Sequence, residues 1–489
     1  MFASPETDPT SRRACALALA FIAFVTLARC ALLAFDPPNL SFDEAQYWAW
    51  AQTIQLGYYS KPPMVAWAIA ATTALFGDGE GAVKLGSALA QGGTAALLVL
   101  LGRALFGGAL GAWSGAAWIT MPAVSLSAVM ITTDPFLLLF WAAALLALVE
   151  APRRGLGFNG WWALFGVALG LGLLSKYAMA FFLACLALWL VWDRAARPLL
   201  RAPGLWLGIA LGVLIYLPNL VWNATNGFVS YAHTKDNANL KGDLFNPDKL
   251  AEFVAGQFGV FGPILMVGLI VGVVAALRRG ADSRLRLLAS FSLPVLAVMT
   301  AESLLSRANA NWTAPAFVAG TVLASWALVR RWPRLLKVSL ALHLVVMAGM
   351  YHLDHARQVV DFRFDPEKRI KGWDRVGERV SAILAAHPDA RLLADERKVL
   401  ATLVYYVRPH PFDAIKWNPS GKVRDHFDQT TRLEPGAGEL IYVTEQPDLP
   451  PGMRERFATA DKVEDIVVPL HHDYARRLTV WRLTGFGGY

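Results

Sequence analysis

The stretch SFDEAQYWAWAQTIQLGYYSKPPMVAW, residues Ser41–Trp67, follows the first long apolar run of the chain, ACALALAFIAFVTLARCALLA at Ala14–Ala34. The apolar run is long enough for a membrane-spanning helix, which needs about 20 such residues. The stretch after it places two adjacent carboxylates, a lysine and many aromatic side chains just outside that span. A loop that only joins two membrane helices does not need this chemistry, so we expect a functional segment here.

The composition of the whole chain indicates a polytopic membrane protein. Of 489 residues, 55% are hydrophobic and 17% are charged, whereas soluble domains carry about 25% charged residues. The first apolar run is too long for the core of a secretory signal and lacks a cleavage site, so we expect a retained helix. We predict about 11 spans, near residues 14–35, 82–102, 109–128, 135–150, 160–175, 178–192, 204–222, 257–277, 286–301, 313–329 and 335–351.

Basic residues set the predicted orientation, because they favour cytoplasmic loops. With a cytoplasmic N-terminus, every arginine-dense short loop falls on the cytoplasmic side, including those with Arg153, Arg197 and Arg284. Eleven spans then place the C-terminal residues on the outer side, the periplasm of a Gram-negative bacterium. This asymmetry explains most of the net charge of +8, so the charge requires no nucleic-acid partner.

The apolar runs shorten to strand length after Tyr351, and the charge density rises. We therefore predict a transmembrane domain at 1–351 and a small soluble α/β domain at 352–489, on the periplasmic side. In the second domain, the patterns predict strands at 390–394, 439–444, 463–470 and 477–483, and helices at 373–386 and 396–407.

Asp43 and Glu44 stand where the chain leaves the first span, and ionisable groups at that depth are costly and usually functional. A carboxylate there can take a proton from an incoming hydroxyl if its surroundings keep it ionised. The same acids also fit the N-cap and first turn of a helix over 45–55. Three aromatic residues of this helix are predicted to anchor it at the lipid headgroups: Tyr47, Trp48 and Trp50.

Two lysines are candidates for binding a lipid phosphate. Lys61 precedes two prolines that fix the direction of the chain, and an ammonium group at the interface suits a phosphate. A lysine that only extends to the surface fits equally well. Lys176 lies between two apolar runs, where a lysine usually needs an anionic partner.

Polar residues in the other outer loops complete the candidate set. Asp134 begins an apolar run with Pro135 at the first helical position, so it fits a helix start as well as a site. Arg307, Asn311 and Trp312 precede a later apolar run, where a polar cap or a ligand contact would fit.

The sequence HLDH at 352–355 is the only cue to a cofactor. Its histidines could ligate a metal, but further ligands are not evident, and a solvated turn at the interface is the preferred interpretation. The sequence therefore indicates no cofactor with certainty and leaves open whether the protein binds a divalent metal.

These motifs carry a resemblance to a known family. The strings DEAQYWAW, LGYYSKPPMVAW, TTDPFLLLFW, GLGLLSKYA, LPNLVWN and ANWTAPAF occur in this order between residues 41 and 317. They closely resemble bacterial glycosyltransferase family 39, the protein mannosyltransferase-like branch of the GT-C superfamily, to which the lipid A aminoarabinose transferases are related. The resemblance implies a GT-C fold and does not reach the C-terminal residues.

The resemblance implies an enzyme that transfers one sugar from a polyprenyl-phosphate carrier to an acceptor, with inversion, on the outer face of the bacterial inner membrane. The acceptor could be lipid A or lipopolysaccharide, another envelope glycan or a protein. Because the donor is already a lipid phosphate, no nucleotide-binding fold is required. A flippase or transporter of lipid-linked sugars is the alternative, although transporters commonly show inverted repeats and broken midplane helices. A lipid-binding scaffold is a third.

Residue by residue, the resemblance places the family's catalytic acid at Asp43, the lysine that contacts the carrier phosphate at Lys61, the lysine of the S/T-K motif at Lys176 and the second-loop acid at Asp134. The residues and the resemblance together predict a mechanism in which Asp43 is the general base and both lysines stabilise the phosphate leaving group. Many family members have histidine at the positions of Lys61 and Asn311, and these departures leave the sugar and the acceptor open. The predicted substrate-binding residues are Glu44, Tyr58, Tyr59, Lys61, Asp134, Lys176, Tyr177, Arg307, Asn311 and Trp312.

Overall fold

The computed structural model describes residues 9–238, 244–353, 365, 367–471 and 474–489. In this part the chain is helical as far as Tyr351 and mixed α/β after residue 367. The helices before residue 352 are α1 (Pro9–Phe35), α2 (Phe42–Ala51), α3 (Met64–Phe76), α4 (Glu80–Phe106), α5 (Gly108–Thr120), α6 (Pro122–Ser127), α7 (Asp134–Glu150), α8 (Gly160–Ser175), α9 (Phe181–Trp192), α10 (Pro203–Thr225), α11 (Val229–Ala238), α12 (Pro247–Phe261), α13 (Pro263–Leu277), α14 (Ser283–Ser290), α15 (Leu293–Leu305), α16 (Ala314–Arg331) and α17 (Pro333–Tyr351).

The described residues form two compact units. The helical unit comprises 9–35, 61–65 and 84–353, and the α/β unit comprises 36–60, 66–83 and the described residues from 365 onward. The segment that carries Asp43 therefore belongs to the same unit as the C-terminal residues. The predicted division at residue 351 into a transmembrane and a periplasmic domain stays a prediction.

The polytopic helical fold is confirmed, because helices account for nearly all of every predicted apolar run, although those at 109–128, 257–277 and 286–301 are each divided between two helices. Within the described residues, seven helices are long and apolar enough to cross a membrane, and the bent pair α12–α13 would give an eighth. The count of eleven spans thus stays a prediction. The continuous span predicted over 257–277 is bent by 103°, because Gly262 takes a positive φ of 92° and Pro263 opens a new helix.

Close approach of α8 and α10 brings their C-terminal ends together. A Cβ atom added at Gly166 would lie 2.5 Å from the carbonyl oxygen of Gly208, and one at Gly170 would lie 2.8 Å from that of Gly212. Small residues at these positions let the two helix backbones touch, as is common between membrane helices. Lys176, Tyr177 and the end of α10 are positioned by this contact.

Several arginine-rich loops meet at one end of the helical unit. Arg153 donates to the Ala104 carbonyl at 2.7 Å, and Arg284 donates to the Leu105 carbonyl at 2.8 Å. Helix α7 runs from Asp134 to Glu150, the residue that pairs with Arg153. Its 17 residues separate Asp134 from the arginine-rich end by about 25 Å.

Among the described residues after 367, the α/β unit contains a five-stranded sheet and three α-helices, and the predicted C-terminal domain with strands is confirmed. The strand order is β2-β1-β3-β5-β4, with β1 parallel to β2 and β3, and β5 antiparallel to β3 and β4. The elements are α18 (Trp373–Ala386), β1 (Arg391–Ala394), α19 (Arg397–Tyr406), β2 (Ile415–Lys416), α20 (His426–Thr430), β3 (Leu440–Thr444), β4 (Phe457–His471) and β5 (Tyr474–Phe486).

Helix α2 packs its aromatic side chains inside the α/β unit. Tyr47, Trp48 and Trp50 are 6%, 0% and 2% exposed. The Trp48 ring lies 5.0 Å from that of Tyr405, in an edge-on contact, and Trp50 stacks on Tyr58 at 4.8 Å. The predicted anchoring of these side chains at the lipid headgroups is wrong, because they form part of a protein core.

Candidate active site

The helical unit brings three predicted site residues into direct contact. The Lys176 ammonium lies 2.5 Å from Asp134 Oδ1, and Asn311 Nδ2 donates to Asp134 Oδ2 at 2.9 Å. The Lys176 and Asp134 side chains are only 22% and 12% exposed. The anionic partner that the sequence led us to expect for Lys176 is therefore Asp134, which uses both carboxylate oxygens to hold its two neighbours.

Local structure explains how these residues meet. Lys176 is the C-cap of α8 and has an extended backbone, so it leaves the helix at that point. Asn311 lies on a short 3₁₀ turn, Ala310–Thr313, that precedes α16. The turn is fixed by Gln257, which accepts a hydrogen bond from the Thr313 hydroxyl at 2.6 Å and donates one to the Ala310 carbonyl at 3.4 Å.

Tyr177 belongs to a polar and aromatic cluster beside Lys176. Asn223, fully buried near the end of α10, donates to the Tyr177 hydroxyl at 3.3 Å. The Tyr177 ring lies 4.9 Å from that of Tyr231, whose hydroxyl is hydrogen-bonded to Tyr216. The motif LPNLVWN thus contributes Asn223 to the candidate site, although we had assigned that residue no role from the sequence.

Asp43 lies in the first turn of α2, in the α/β unit. Arg397 Nη1, at the first residue of α19, donates to Asp43 Oδ1 at 2.9 Å and to Gln46 Oε1 at 3.1 Å. The Arg397 guanidinium also lies 4.7 Å from the centre of the Phe42 ring. Arg397 was missed in the sequence because only the folded chain brings residues 43 and 397 together.

Glu44 and Tyr58 have structural partners. Glu44 accepts from the Ser41 amide at 2.8 Å and the Glu44 amide donates to the Ser41 hydroxyl at 3.4 Å, which makes a capping box for α2. The buried Tyr58 hydroxyl donates to the carbonyl of Trp50 at 3.0 Å and accepts from the Gln55 amide at 3.2 Å. The capping box is the structural role that the sequence left open for Glu44. The contacts of Glu44 and Tyr58 lend no support to the predicted binding of substrate by either residue.

The remaining predicted residues lie on or near the surface of their units. Tyr59 is partly exposed in the α/β unit, and Lys61 and Trp312 are partly exposed in the helical unit. Arg307 is exposed in the loop between α15 and the 3₁₀ turn. Asp354 and His355 of the HLDH sequence lie outside the described residues, and the described residues contain no group of three metal-ligating side chains.

Comparison with known proteins identifies the family. Residues 60–222 match the family described as dolichyl-phosphate-mannose-protein mannosyltransferase. Lipid A galacturonosyltransferase RgtD of Rhizobium johnstonii is 33% identical over 429 residues, which cover 86% of this chain and 89% of that protein. The chain belongs to glycosyltransferase family 39 of the GT-C superfamily. The predicted membrane glycosyltransferase is confirmed, and the flippase alternative is not supported.

A second relative and a solved structure are also similar to this family 39 enzyme. An undecaprenyl phosphate-alpha-4-amino-4-deoxy-L-arabinose arabinosyl transferase of Pseudomonas fluorescens is 30% identical over 176 residues, 35% of this chain and 32% of the relative. The structure of ArnT from Cupriavidus metallidurans bound to undecaprenyl phosphate has a TM-score of 0.64 at 18% identity, over 95% of this chain and 97% of that one. At this identity the structural likeness establishes the fold alone.

Proposed function

We propose that this enzyme transfers a galacturonosyl residue from a polyprenyl-phosphate carrier to lipid A, on the outer face of the cytoplasmic membrane. The observation that carries the proposal is the similarity to the Rhizobium johnstonii lipid A galacturonosyltransferase along almost the whole of both chains. The match to the aminoarabinose transferase covers only about a third of each chain and carries less weight.

The proposed orientation rests on a difference between the two ends of the helical unit. Arginine-rich loops meet at one end of this unit, and arginine favours the cytoplasmic side. Asp134, at the other end of α7, is bound to Lys176 and Asn311. This arrangement supports an outer-face location for the Asp134–Lys176 pair.

Lys61 and Lys176 are proposed to bind the carrier phosphate. As the bond between the anomeric carbon and the phosphate oxygen breaks, negative charge grows on the phosphate, so nearby ammonium groups stabilise the transition state more than the bound donor. Asp134 holds Lys176 at 2.5 Å, so we assign Asp134 to positioning this lysine. Arg307, which is exposed beside the same 3₁₀ turn, is proposed to meet the carboxylate of the galacturonosyl group.

Asp43 is proposed as the general base. It would accept the proton of a lipid A hydroxyl while the hydroxyl oxygen attacks the anomeric carbon from the face opposite the phosphate. The configuration of the sugar is then inverted. The released products are glycosylated lipid A and the polyprenyl phosphate, so atoms and charges balance without a cofactor.

The proposal is tested by incubating the purified protein in proteoliposomes with lipid A and one of two donors, polyprenyl-phosphate galacturonic acid or polyprenyl-phosphate aminoarabinose. We expect mass spectrometry to detect lipid A heavier by one galacturonosyl residue with the first donor only. Asp43→Asn protein serves as the inactive control. Transfer of aminoarabinose alone would overturn the proposed sugar, and consumption of the galacturonic acid donor without any glycosylated lipid A would overturn the proposed acceptor.

A further inference from the structure

Arg397 makes three contacts with α2, and all of them surround Asp43. Its Nη1 atom donates to Asp43 Oδ1 and to Gln46 Oε1, and its guanidinium carbon lies 4.7 Å from the centre of the Phe42 ring. Gln46 is only 1% exposed, so its amide oxygen is a fixed partner. The guanidinium therefore has a defined position against one face of α2.

The contact is poorly suited to a purely stabilising role. The Asp43 and Arg397 side chains are 47% and 31% exposed, and exposed ion pairs contribute little to stability because water and salt screen them. The geometry has a clearer consequence for the carboxylate itself. A half-exposed aspartate without a partner exchanges among its allowed rotamers, whereas the hydrogen bond from Arg397 to Oδ1 restricts the rotation of the Asp43 carboxylate.

We propose that Arg397 is a positioning residue, which holds the Asp43 carboxylate so that Oδ2 faces the acceptor hydroxyl. The inference rests on the proposed role of Asp43 as the base. Proton transfer needs the two oxygen atoms within about 2.6–3.2 Å of each other, and small misplacements of reacting groups cost up to about a hundredfold in rate. In this way α19 of the C-terminal residues contributes to a reaction whose other proposed groups all lie before residue 318.

The test compares turnover and donor KM of purified full-length variants in proteoliposomes. We expect Arg397→Ala to lower kcat about ten- to a hundredfold while the donor KM changes less than about twofold, because the variant loses alignment and keeps the donor site. Arg397→Lys should recover most of the rate, since a single nitrogen atom makes both hydrogen bonds. Arg397→Gln, which keeps most of the side-chain length, covers the case in which the alanine variant does not fold.

A matched control is available in the same unit. Arg379 pairs with Glu464 at 2.8 Å and its side chain is 55% exposed, so Arg379→Ala removes a comparable exposed ion pair far along the sequence from Asp43. We expect normal turnover from this variant. Arg397→Ala should also cost much less in an Asp43→Glu protein, where the longer side chain has already displaced the carboxylate.

The possible failures are distinguishable. Wild-type protein that transfers sugar, together with an inactive Asp43→Asn variant and an unaffected Arg397→Ala variant, would overturn the role of Arg397 alone. Faster turnover by Arg397→Ala would overturn it too, because Arg397 would then be masking the base. Full activity of Asp43→Asn would instead overturn the proposed mechanism on which the inference rests.

Discussion

Lys176 and Asp134 allow the structural and functional roles of an ion pair to be separated. Lys176→Met keeps most of the side-chain length and removes the charge, which leaves the Asn311 amide as the hydrogen-bond partner of the Asp134 carboxylate among the described residues. Removing one partner of a buried pair costs about 3–5 kcal/mol in stability. Because the two side chains are 22% and 12% exposed, we expect a loss at the lower end, about 3 kcal/mol. The loss of a charge-assisted hydrogen bond to the carrier phosphate, worth about 1.5–3 kcal/mol, should weaken donor binding about 10- to 150-fold.

The double variant Asp134→Asn/Lys176→Met separates these two effects. Its amide oxygen can still accept the hydrogen bond from Asn311, and no unpaired charge remains, so most of the lost stability should return. Donor binding should stay as weak as in Lys176→Met. Thermal unfolding in detergent measures the first quantity, and titration with the polyprenyl-phosphate sugar measures the second. A double variant that regains both stability and donor affinity would refute the phosphate-binding role of Lys176 and leave the pair purely structural.

Three further predictions follow from the site and the fold. Asp43→Asn should abolish transfer while donor binding persists, because an amide is not a base at neutral pH; single-turnover assays with bound donor check this, and residual turnover near the wild-type rate would contradict it. Reporter fusions after Arg154, Arg197, Arg279 and Arg331 should report the cytoplasm, and fusions after Asp236 and at the C-terminus the outer side; an inward C-terminus would mean that the spans are miscounted. Burial lowers the pKa of His426 to about 4, below the ordinary value near 6.5. The unfolded chain therefore binds a proton between pH 6.5 and 4 that the folded chain does not, so stability should fall as the pH drops through this window. His426→Gln should reduce that dependence in thermal unfolding scans, and an unchanged profile would exclude His426 as its source.

The periodicity and the length of apolar runs were sufficient to predict most of the secondary structure. Helix α18 occupies the predicted residues 373–386, and β1 and β3 begin within one residue of the predicted strands. The number of membrane spans was harder to predict, because apolar runs such as 160–175 are shorter than a typical span. Only the packing of such a helix determines how deep it lies in the membrane. The break at Gly262 did have a signal in the sequence, since a Gly-Pro pair commonly interrupts a helix.

The candidate site was predictable in its residue types but only partly in its contacts. The need of Lys176 for an anionic partner could be predicted, because a charge among apolar runs is costly. The identity of that partner could not be predicted, because pairing with Asp134 depends on how α7 and α8 pack. The aromatic residues of α2 were misassigned for a related reason: burial against a protein core and burial at a lipid interface select the same side chains.

The α/β unit is built from segments that lie far apart in the sequence, and this has a consequence for the synthesis of the protein. Its first segments, including α2, are synthesised early, but the sheet and α19 follow only after roughly 300 further residues. At about 5–20 residues per second, this delay is roughly 15–60 s. During that interval Asp43 has no Arg397 to meet, and the aromatic side chains of α2 lack their core. Catalytic competence should therefore arise only when translation is nearly complete, and a chain that stops before residue 397 should be inactive even with every membrane helix in place.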